Sequence, residues 1–231
     1  MNKFDFVFFH VGDTFYPTLL TKSIKKFNPD SKIFYITDKK NKNIEGVTNT
    51  IRIDCNSDNL MTSRLLGFSE LKLNTPAIYI DSDVLITKNI PNELFDQNEI
   101  YLCKRSFMID SVINTSFKNM DLSEYKDKTL GEIYPFIACF TYAANYKFWE
   151  ECYKILTNLN KKFHYWYGDQ EALRIINNQK RFNIGYLNES LICSTPEMLN
   201  KASEVYSIHF KGPQRKKLMP TFAEKILQNN V

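Results

Sequence analysis

Short apolar runs separated by polar segments recur along the chain, and their lengths indicate strands that alternate with helices. The run 4–9 predicts a first strand, and apolar positions at helical spacing predict a helix that begins near Thr14. The run 33–37 predicts a second strand. A strand, a helix and a strand in this order favour an α/β fold built on a parallel sheet.

The same alternation continues to the end of the chain. Further strands are predicted at 51–54, 77–80, 99–103, 133–144, 181–188 and 205–210, and further helices at 60–72, 145–160, from Asp169 onward and at 221–228. The polar stretch 104–131 is expected to be either a lid or acceptor loop or a disordered excursion. Because neither a repeat nor a linker divides the chain, we expect one α/β domain over 1–231 that ends in a basic, helical tail at 211–231.

Two carboxylates interrupt the most apolar part of the chain. Asp81 and Asp83 follow the unbroken run Ala77–Ile80, which is typical of a strand covered on both faces. Residues i and i+2 of extended backbone point to the same side, so both carboxylates can reach one cation. Ligands of open α/β sheets bind beyond the carboxyl ends of the strands. We therefore predict a divalent metal site that carries a diphosphate, with an ordinary turn as the alternative.

Four other polar residues have a structural interpretation beside a functional one. Arg64 lies near the apolar face of the helix 60–72, where long cationic side chains often cover apolar surface. Asp169 is placed to cap the helix that it begins, which is worth about 1 kcal/mol. Gln170 is expected at the exposed mouth of that helix, and His209 is a lone histidine at the end of a strand.

Charge and cysteine usage limit the classes of protein. The net charge is +4, from 30 basic and 26 acidic residues, which does not indicate a nucleic-acid partner but suits an anionic ligand. The densest basic cluster is either a solvated surface, an anion clamp or a contact with acidic lipid, and it consists of Lys211, Arg215, Lys216 and Lys217.

The five cysteines are scattered without Cys-x-x-Cys spacing, which predicts neither a disulfide framework nor a zinc ribbon and indicates a reducing compartment. The first residues lack the pattern of a signal peptide, and no apolar run approaches the roughly 20 residues that span a bilayer. We expect a cytoplasmic protein, with attachment to the inner face of the membrane left open.

Several motifs in order resemble glycosyltransferases of the GT-A fold, and most closely glycosyltransferase family 8. SRLLGFSEL and AIYIDSDVLI resemble the arginine-bearing helix and Asp-x-Asp strand of that family, GDQEAL at 168–173 is similar to its Asp-Gln helix start, and HFKG at 209–212 is similar to its late histidine–glycine element. The resemblance runs from the first strand to about residue 217, and it implies a mixed central sheet flanked by helices.

The resemblance also implies a role for each matching position. Asp81, Asp83 and His209 would bind Mn²⁺ or Mg²⁺, and Asp169 and Gln170 would face the transferred sugar. The nucleotide-sugar would be contacted by His10, Val11, Gly12, Tyr16, Arg64, Ser82, Gly212 and Arg215. Of these, His10, Val11 and Gly12 would line the base, and Tyr16 would be its stacking partner.

Two departures from the family pattern affect the donor. Arg215 stands where the family has a lysine, a change that keeps a phosphate-binding group. The strand Phe136–Phe140 lacks the family's asparagine and glycine, which leaves the identity of the donor sugar open.

The expected function is metal-dependent transfer of a sugar, with retention of configuration, from a nucleoside-diphosphate sugar to a glycan or lipid-linked acceptor; a UDP-sugar is the expected donor. Two alternatives remain. A sugar-phosphate nucleotidyltransferase usually has a glycine-rich phosphate loop near the N-terminus, whereas HVGDTFY holds one glycine. A non-catalytic nucleotide-sugar-binding protein would not need Asp81, Asp83 and His209 together.

Overall fold

The computed structural model describes residues 3–116, 120–199 and 204–228. Its strands are β1 Asp5–Phe9, β2 Ile33–Thr37, β3 Asn49–Arg52, β4 Ala77–Ile80, β5 Val84–Ile86, β6 Ile100–Lys104, β7 Phe136–Ala143, β8 Ile184–Asn188 and β9 Ser207–His209. Seven strands form one sheet in the order β3-β2-β1-β4-β7-β6-β8, and β5 pairs with β9 in a second sheet.

The large sheet is mixed, as the resemblance implies. Strands β3, β2, β1 and β4 are parallel neighbours. Strand β7 runs antiparallel to both β4 and β6, and β8 is parallel to β6. The carboxyl ends of β1 and β4 therefore lie side by side at one edge of the sheet, where ligands of α/β folds bind.

Helices lie on both faces of this sheet. They are α1 Phe15–Phe27, α2 Leu60–Glu70, α3 Leu130–Ile133, α4 Lys147–Thr157, α5 Lys162–Tyr165, α6 Gly168–Gln179, α7 Glu189–Ile192, α8 Pro213–Lys216 and α9 Met219–Gln228. Among the described residues, none of these helices combines the length and apolar character needed to cross a bilayer.

One face of the sheet is covered by α2, α4 and α6. Their apolar side chains form a continuous core with the strands, in which Tyr79 of β4 meets Phe68 and Trp149 at ring-centroid distances of 4.9 and 4.5 Å. Fully burying one such large side chain contributes about 1.5–3 kcal/mol. This aromatic core anchors α2, and with it Arg64, beneath the end of β4.

The opposite face is covered by α1, α7 and the strand β5. Leu20 and Ile24 of α1 are fully buried against strand residues such as Phe8 and Ile78. A smaller cluster joins β5 and β9 to α9 through residues that include Met219. The C-terminal elements are therefore packed against the rest of the protein by apolar contacts.

The sequence-based boundaries differ from the structure at several strands: the predicted strand 181–188 begins at Ile184, and 51–54 corresponds to Asn49–Arg52. The predicted strand 133–144 begins only at Phe136, because Leu130–Ile133 form α3 with a capping box between Thr129 and Glu132. The predicted strand 205–210 is reduced to β9. Capping by Thr and Glu favours a helical turn over extension of the apolar strand.

The segment 104–131 contains ordered structure. Val112 and Thr129 form a β-bridge, and the backbone N–H of Leu122 donates to the carbonyl of Thr115 at 2.8 Å. Residues 117–119 of this segment and 229–231 of the tail lie outside the described residues. The described part therefore favours a folded loop over a disordered excursion.

Candidate active site

The two aspartates of the Asp-x-Asp motif lie in the short connection between β4 and β5. The backbone N–H of Asp81 donates to the carbonyl of Cys139 on β7 at 3.1 Å, which fixes the end of β4. Val84 is directly opposite His209 in the antiparallel pair of β5 and β9. The N–H of Phe210 donates to the carbonyl of Asp83 at 2.9 Å. The small sheet thus brings the histidine beside both aspartates.

Side-chain atoms of Asp81, Asp83 and His209 converge on one point. The Nε2 atom of His209 is 3.6 Å from Oδ2 of Asp81 and 3.4 Å from Oδ1 of Asp83. The ligand atoms of all three residues lie within 4.8 Å of one another. Cations hold the remaining carboxylate oxygens, with Arg64 at 2.6 Å from Oδ1 of Asp81 and Lys216 at 3.1 Å from Oδ2 of Asp83. Each aspartate therefore presents one oxygen toward the histidine.

This arrangement fits a divalent cation. Metal–ligand bonds of about 2.1 Å at right angles place neighbouring ligand atoms about 3.0 Å apart. The observed separations of 3.4 and 3.6 Å would therefore have to close by about half an ångström. Two carboxylate oxygens and one imidazole nitrogen suit Mn²⁺, and Mg²⁺ also accepts a carboxylate-rich set.

The pKa values of the two aspartates shift in opposite directions. Burial raises the pKa of Asp81 above its usual range, although Arg64 and His209 oppose that shift. Burial also acts to raise the pKa of Asp83, but His209 and Lys216 outweigh it and hold that pKa below its usual range. Burial therefore disfavours the charge on Asp81, and a bound cation would offset that penalty.

Arg64 is a buried link between two parts of the site, and its interpretation as a surface arginine is wrong. Its side chain is 9% exposed. It donates from Nη1 to Oδ2 of Asp169 at 2.9 Å and from Nη2 to the carbonyl of Ala138 at 2.9 Å, besides its pairing with Asp81. Because the guanidinium contacts both carboxylates, it joins the Asp-x-Asp motif to the start of α6.

The start of α6 corrects two further expectations. The helix begins at Gly168, with Tyr167 in the N-cap position, so Asp169 is not the N-cap. Its carboxylate instead accepts from Arg64 and, at 2.7 Å, from the backbone N–H of Gln170. A β-carbon at position 168 would lie 2.1 Å from the carbonyl oxygen of Phe163, so only glycine fits there.

Gln170 is buried, and its expected place at an exposed helix mouth is wrong. Its Oε1 accepts from Nη2 of Arg105 at 2.8 Å. Nε of Arg105 also donates to the carbonyl of Tyr134 at 2.8 Å. Since an arginine side chain only donates hydrogen bonds, it fixes which end of the Gln170 amide is oxygen. Arg105 was not predicted as a site residue, because it lies in a polar loop without a periodic signal.

His10 at the end of β1 is hydrogen-bonded to the residue between the two aspartates. Its Nε2 lies 2.7 Å from the carbonyl of Asp13, and its Nδ1 lies 2.8 Å from Oγ of Ser82. A carbonyl only accepts, so Nε2 donates, and the neutral ring then accepts at Nδ1 from the Ser82 hydroxyl. Burial lowers the pKa of His10 and favours this neutral form. The ring therefore orients Ser82.

The loop after β1 holds the other residues expected to line the base. Gly12 has φ +108° and is tied to Asn41, whose side chain accepts from the Gly12 N–H at 3.2 Å and donates to its carbonyl at 3.1 Å. Val11 in the same loop and Tyr16 in the first turn of α1 are both half-buried. Asn41 was not singled out by its sequence, because it lies within an ordinary polar stretch.

The basic cluster divides between two partners. Gly212, at φ +85°, turns the chain from β9 into α8. Nε of Arg215 donates to both oxygens of Glu197, at 2.7 and 2.9 Å, whereas Lys216 contacts Asp83. Of these two basic residues, Lys216 rather than Arg215 reaches the Asp-x-Asp motif. The roles assigned to Gly212 and Arg215 in donor binding stay predictions.

No protein-family model matches the chain, and no curated protein sequence matches it either. In structure, the chain is similar to the galactosyltransferase LgtC in complex with donor and acceptor sugar analogues, with a TM-score of 0.60 and 17% identity over 96% of this chain and 95% of that one. A Gln-to-Glu active-site mutant of LgtC is similar with a TM-score of 0.58 and 18% identity, over 94% of this chain and 95% of that one.

A glycosyltransferase involved in glycosylating the major capsid of PBCV-1 is similar as well, with a TM-score of 0.60 and 9% identity over 94% of this chain and 99% of that one. At these identities the similarity establishes the fold. The chain therefore has the GT-A fold of these glycosyltransferases.

Proposed function

We propose that the protein is a metal-dependent glycosyltransferase that uses a nucleoside-diphosphate sugar. The observation that carries this proposal is the convergence of Asp81, Asp83 and His209 within 4.8 Å at the carboxyl end of β4. The structural neighbours with the same fold are glycosyltransferases, which supports the same class of reaction.

The cation would be held by Oδ2 of Asp81, Oδ1 of Asp83 and Nε2 of His209. Mn²⁺ or Mg²⁺ bound there would offset the negative charge that builds on the diphosphate as the glycosidic bond breaks. The guanidinium of Arg64 contacts Oδ1 of Asp81 at 2.6 Å and leaves Oδ2 for the cation. A carboxylate held in this way lowers the cost of binding.

Lys216 is a second group for the diphosphate. Its ammonium lies 3.1 Å from Asp83 and 5.8 Å from the ring centroid of Tyr16. When a cation neutralises Asp83, Lys216 loses part of its attraction to that carboxylate and can contact phosphate oxygens instead. Arg215 would approach the donor only after leaving Glu197.

Asp169 and Gln170 are the candidates for contact with the transferred sugar. Oε1 of Gln170 uses one lone pair for Arg105 and keeps the other for the positive charge that develops at the sugar carbon. The active-site mutant of LgtC replaces a glutamine with a glutamate, which supports Gln170 as a candidate. Asp169 pairs with Arg64 and would orient the acceptor or serve as a base.

We infer retention of configuration at the transferred sugar. Inverted product in the anomeric-proton NMR spectrum would refute it.

The finer details remain proposals from the sequence. A UDP-sugar is the proposed donor, and a glycan or lipid-linked sugar is the proposed acceptor. The proposed location is cytoplasmic, and the residues proposed to contact acidic lipid are Lys211, Arg215, Lys216 and Lys217. We also keep the single domain over 1–231.

The central experiment compares donor turnover with and without metal. Purified protein is incubated with a panel of UDP- and other nucleotide-sugars in Mn²⁺, in Mg²⁺ or in chelator, and release of the nucleoside diphosphate is measured. We expect turnover of one donor with metal and none with chelator. Asp83→Asn should abolish the metal-dependent turnover, whereas the matched control Asp54→Asn, at an exposed aspartate paired with Lys39, should retain it. Full activity of Asp83→Asn would refute the proposed site.

Two further measurements separate the alternatives. Release of pyrophosphate from a nucleoside triphosphate and a sugar 1-phosphate would identify a nucleotidyltransferase. A donor at 100 times its Kd adds about 2.7 kcal/mol of stability, which is about 5 °C in Tm for a protein of this size. Such a shift with no turnover of any donor would identify a non-catalytic binding protein.

A further inference from the structure

A second group of metal-ligating side chains lies behind the aspartate pair. Sγ of Cys139 on β7 is 3.2 Å from Sγ of Cys193, which follows α7. These two sulfurs and a ring nitrogen of His209 lie within 4.8 Å of one another. All three side chains are buried. The cluster therefore shares its histidine with the site described above but adds two thiols to it.

Backbone hydrogen bonds hold the three residues in place. The carbonyl of Cys139 accepts from the N–H of Asp81 at 3.1 Å, which ties β7 to β4. The N–H of Ser194, next to Cys193, donates to the carbonyl of Ser207 at 3.0 Å, and the N–H of His209 donates to the carbonyl of Ser194 at 2.7 Å. Three separate elements are thus fixed around the same small volume.

These cysteines differ from a cysteine that only fills space. All five cysteines of the chain are free thiols. Cys152 on α4 lies in the apolar core beside residues such as Trp149, where it behaves as a small hydrophobic residue. Cys139 instead contacts Cys193. Sulfur and imidazole together form a ligand set that favours thiophilic ions.

We propose that Cys139, Cys193 and His209 form a second cation site, specific for a thiophilic divalent ion such as Zn²⁺ or Cd²⁺. Binding would release the two thiol protons to solvent as two metal–sulfur bonds form, and no electron is transferred. Three protein ligands leave the fourth position of a tetrahedral ion open. Metal–sulfur bonds of about 2.3 Å place two sulfurs about 3.8 Å apart, so the pair must separate by about half an ångström.

The aspartate pair offers the route by which an ion reaches this cluster. The side chain of Asp81 is 27% exposed, whereas that of His209 is 7% exposed. An ion that arrives at the carboxylates therefore meets the histidine next and the thiols behind it. Hard ions remain with the carboxylate oxygens, and soft ions gain more from the thiolates.

The test is a titration of Cd²⁺ into the reduced, metal-free full chain, followed by the ultraviolet charge-transfer band of cadmium thiolates. We expect the band to saturate at one Cd²⁺ per chain. It should be lost in Cys139→Ala and, independently, in Cys193→Ala, and the fold of each variant is checked by circular dichroism. The matched control Cys152→Ala removes an equally buried thiol and should keep the full band.

Asp83→Asn distinguishes this proposal from the proposed function. It should keep the cadmium band even though it loses metal-dependent turnover, because it removes an oxygen ligand but no sulfur. Absence of the band in the wild-type chain, or its persistence in both folded Cys139→Ala and Cys193→Ala, would overturn the second site. Neither result depends on whether the protein turns over a donor.

Discussion

Replacing Arg64 with methionine gives the sharpest test of how the site is held together. The guanidinium lies between two carboxylates, 2.6 Å from Asp81 and 2.9 Å from Asp169, with its side chain 9% exposed. Arg64→Met removes the charge but keeps a long apolar side chain against Phe68. Both carboxylates then lose their cationic partner in a buried environment.

The loss of stability expected for Arg64→Met follows from the burial of this ion pair. Removing one partner of a buried ion pair typically costs about 3–5 kcal/mol, because the remaining charge is left uncompensated. With an unfolding entropy of about 2.1 cal/mol/K per residue, 1 kcal/mol corresponds to about 2 °C in Tm for a protein of this size. We therefore expect Arg64→Met to lower the Tm by about 6–10 °C. Lys39→Met, at an exposed pair with Asp54, is the matched control and should leave the Tm nearly unchanged.

A double-mutant cycle with Asp169→Asn shows whether the loss comes from unpaired charge. In Arg64→Met the Asp169 carboxylate is uncompensated, and changing it to a neutral amide removes part of the penalty. The double variant should thus be at least about 1 kcal/mol more stable than the sum of the single effects predicts, which exceeds the usual additivity error of about 0.5 kcal/mol. Urea unfolding measures each free energy. Additive effects, or a loss below about 1 kcal/mol for Arg64→Met, would refute the reasoning.

The other predictions concern single residues. Lys216→Met should lower the free energy of unfolding at pH 7, where Asp83 is ionised and paired with the lysine. His209 and Lys216 hold the pKa of Asp83 below its usual range, so this stabilisation is complete above the ordinary carboxyl pKa and is lost only as the pH falls through that lowered pKa; in urea unfolding, a loss that disappears as soon as the pH reaches the ordinary carboxyl pKa would contradict this. Arg105→Lys should lower kcat by about 10- to 100-fold with little change in KM, since it releases the Gln170 amide from a charged hydrogen bond; an unchanged kcat would exclude a positioning role. Gly168→Ala should cost about 1–3 kcal/mol by overpacking, and a wild-type Tm would show that the helix start can shift.

Local patterns in the sequence were sufficient for much of the fold. The apolar runs of β1, β2 and β4 predict buried parallel strands because such strands lack alternation. The start of β7 was placed too early because a capping box is a weaker signal than the apolar run that surrounds it. Strand β5 was not predicted, since three residues are too few to show a period.

The site was predictable only where its residues are close in sequence or follow a known motif. Asp81 and Asp83 are two residues apart on extended backbone, and their convergence follows from strand geometry. The pairing of Arg64 with Asp169 joins positions 105 residues apart, which no local pattern reports. Arg105 and Lys216 resemble ordinary solvated cations in the sequence, because the burial of Arg105 and the contact of Lys216 with Asp83 arise only in the folded chain.

The pairing of β5 with β9 determines when a growing chain can assemble the group of Asp81, Asp83 and His209. All seven strands of the large sheet end by Asn188, but the histidine arrives with β9, at Ser207–His209. A ribosome-bound chain could therefore complete that sheet while its carboxylates still lack their imidazole neighbour. The carboxylates and the imidazole would then come together only after β9 has been synthesised and has paired with β5.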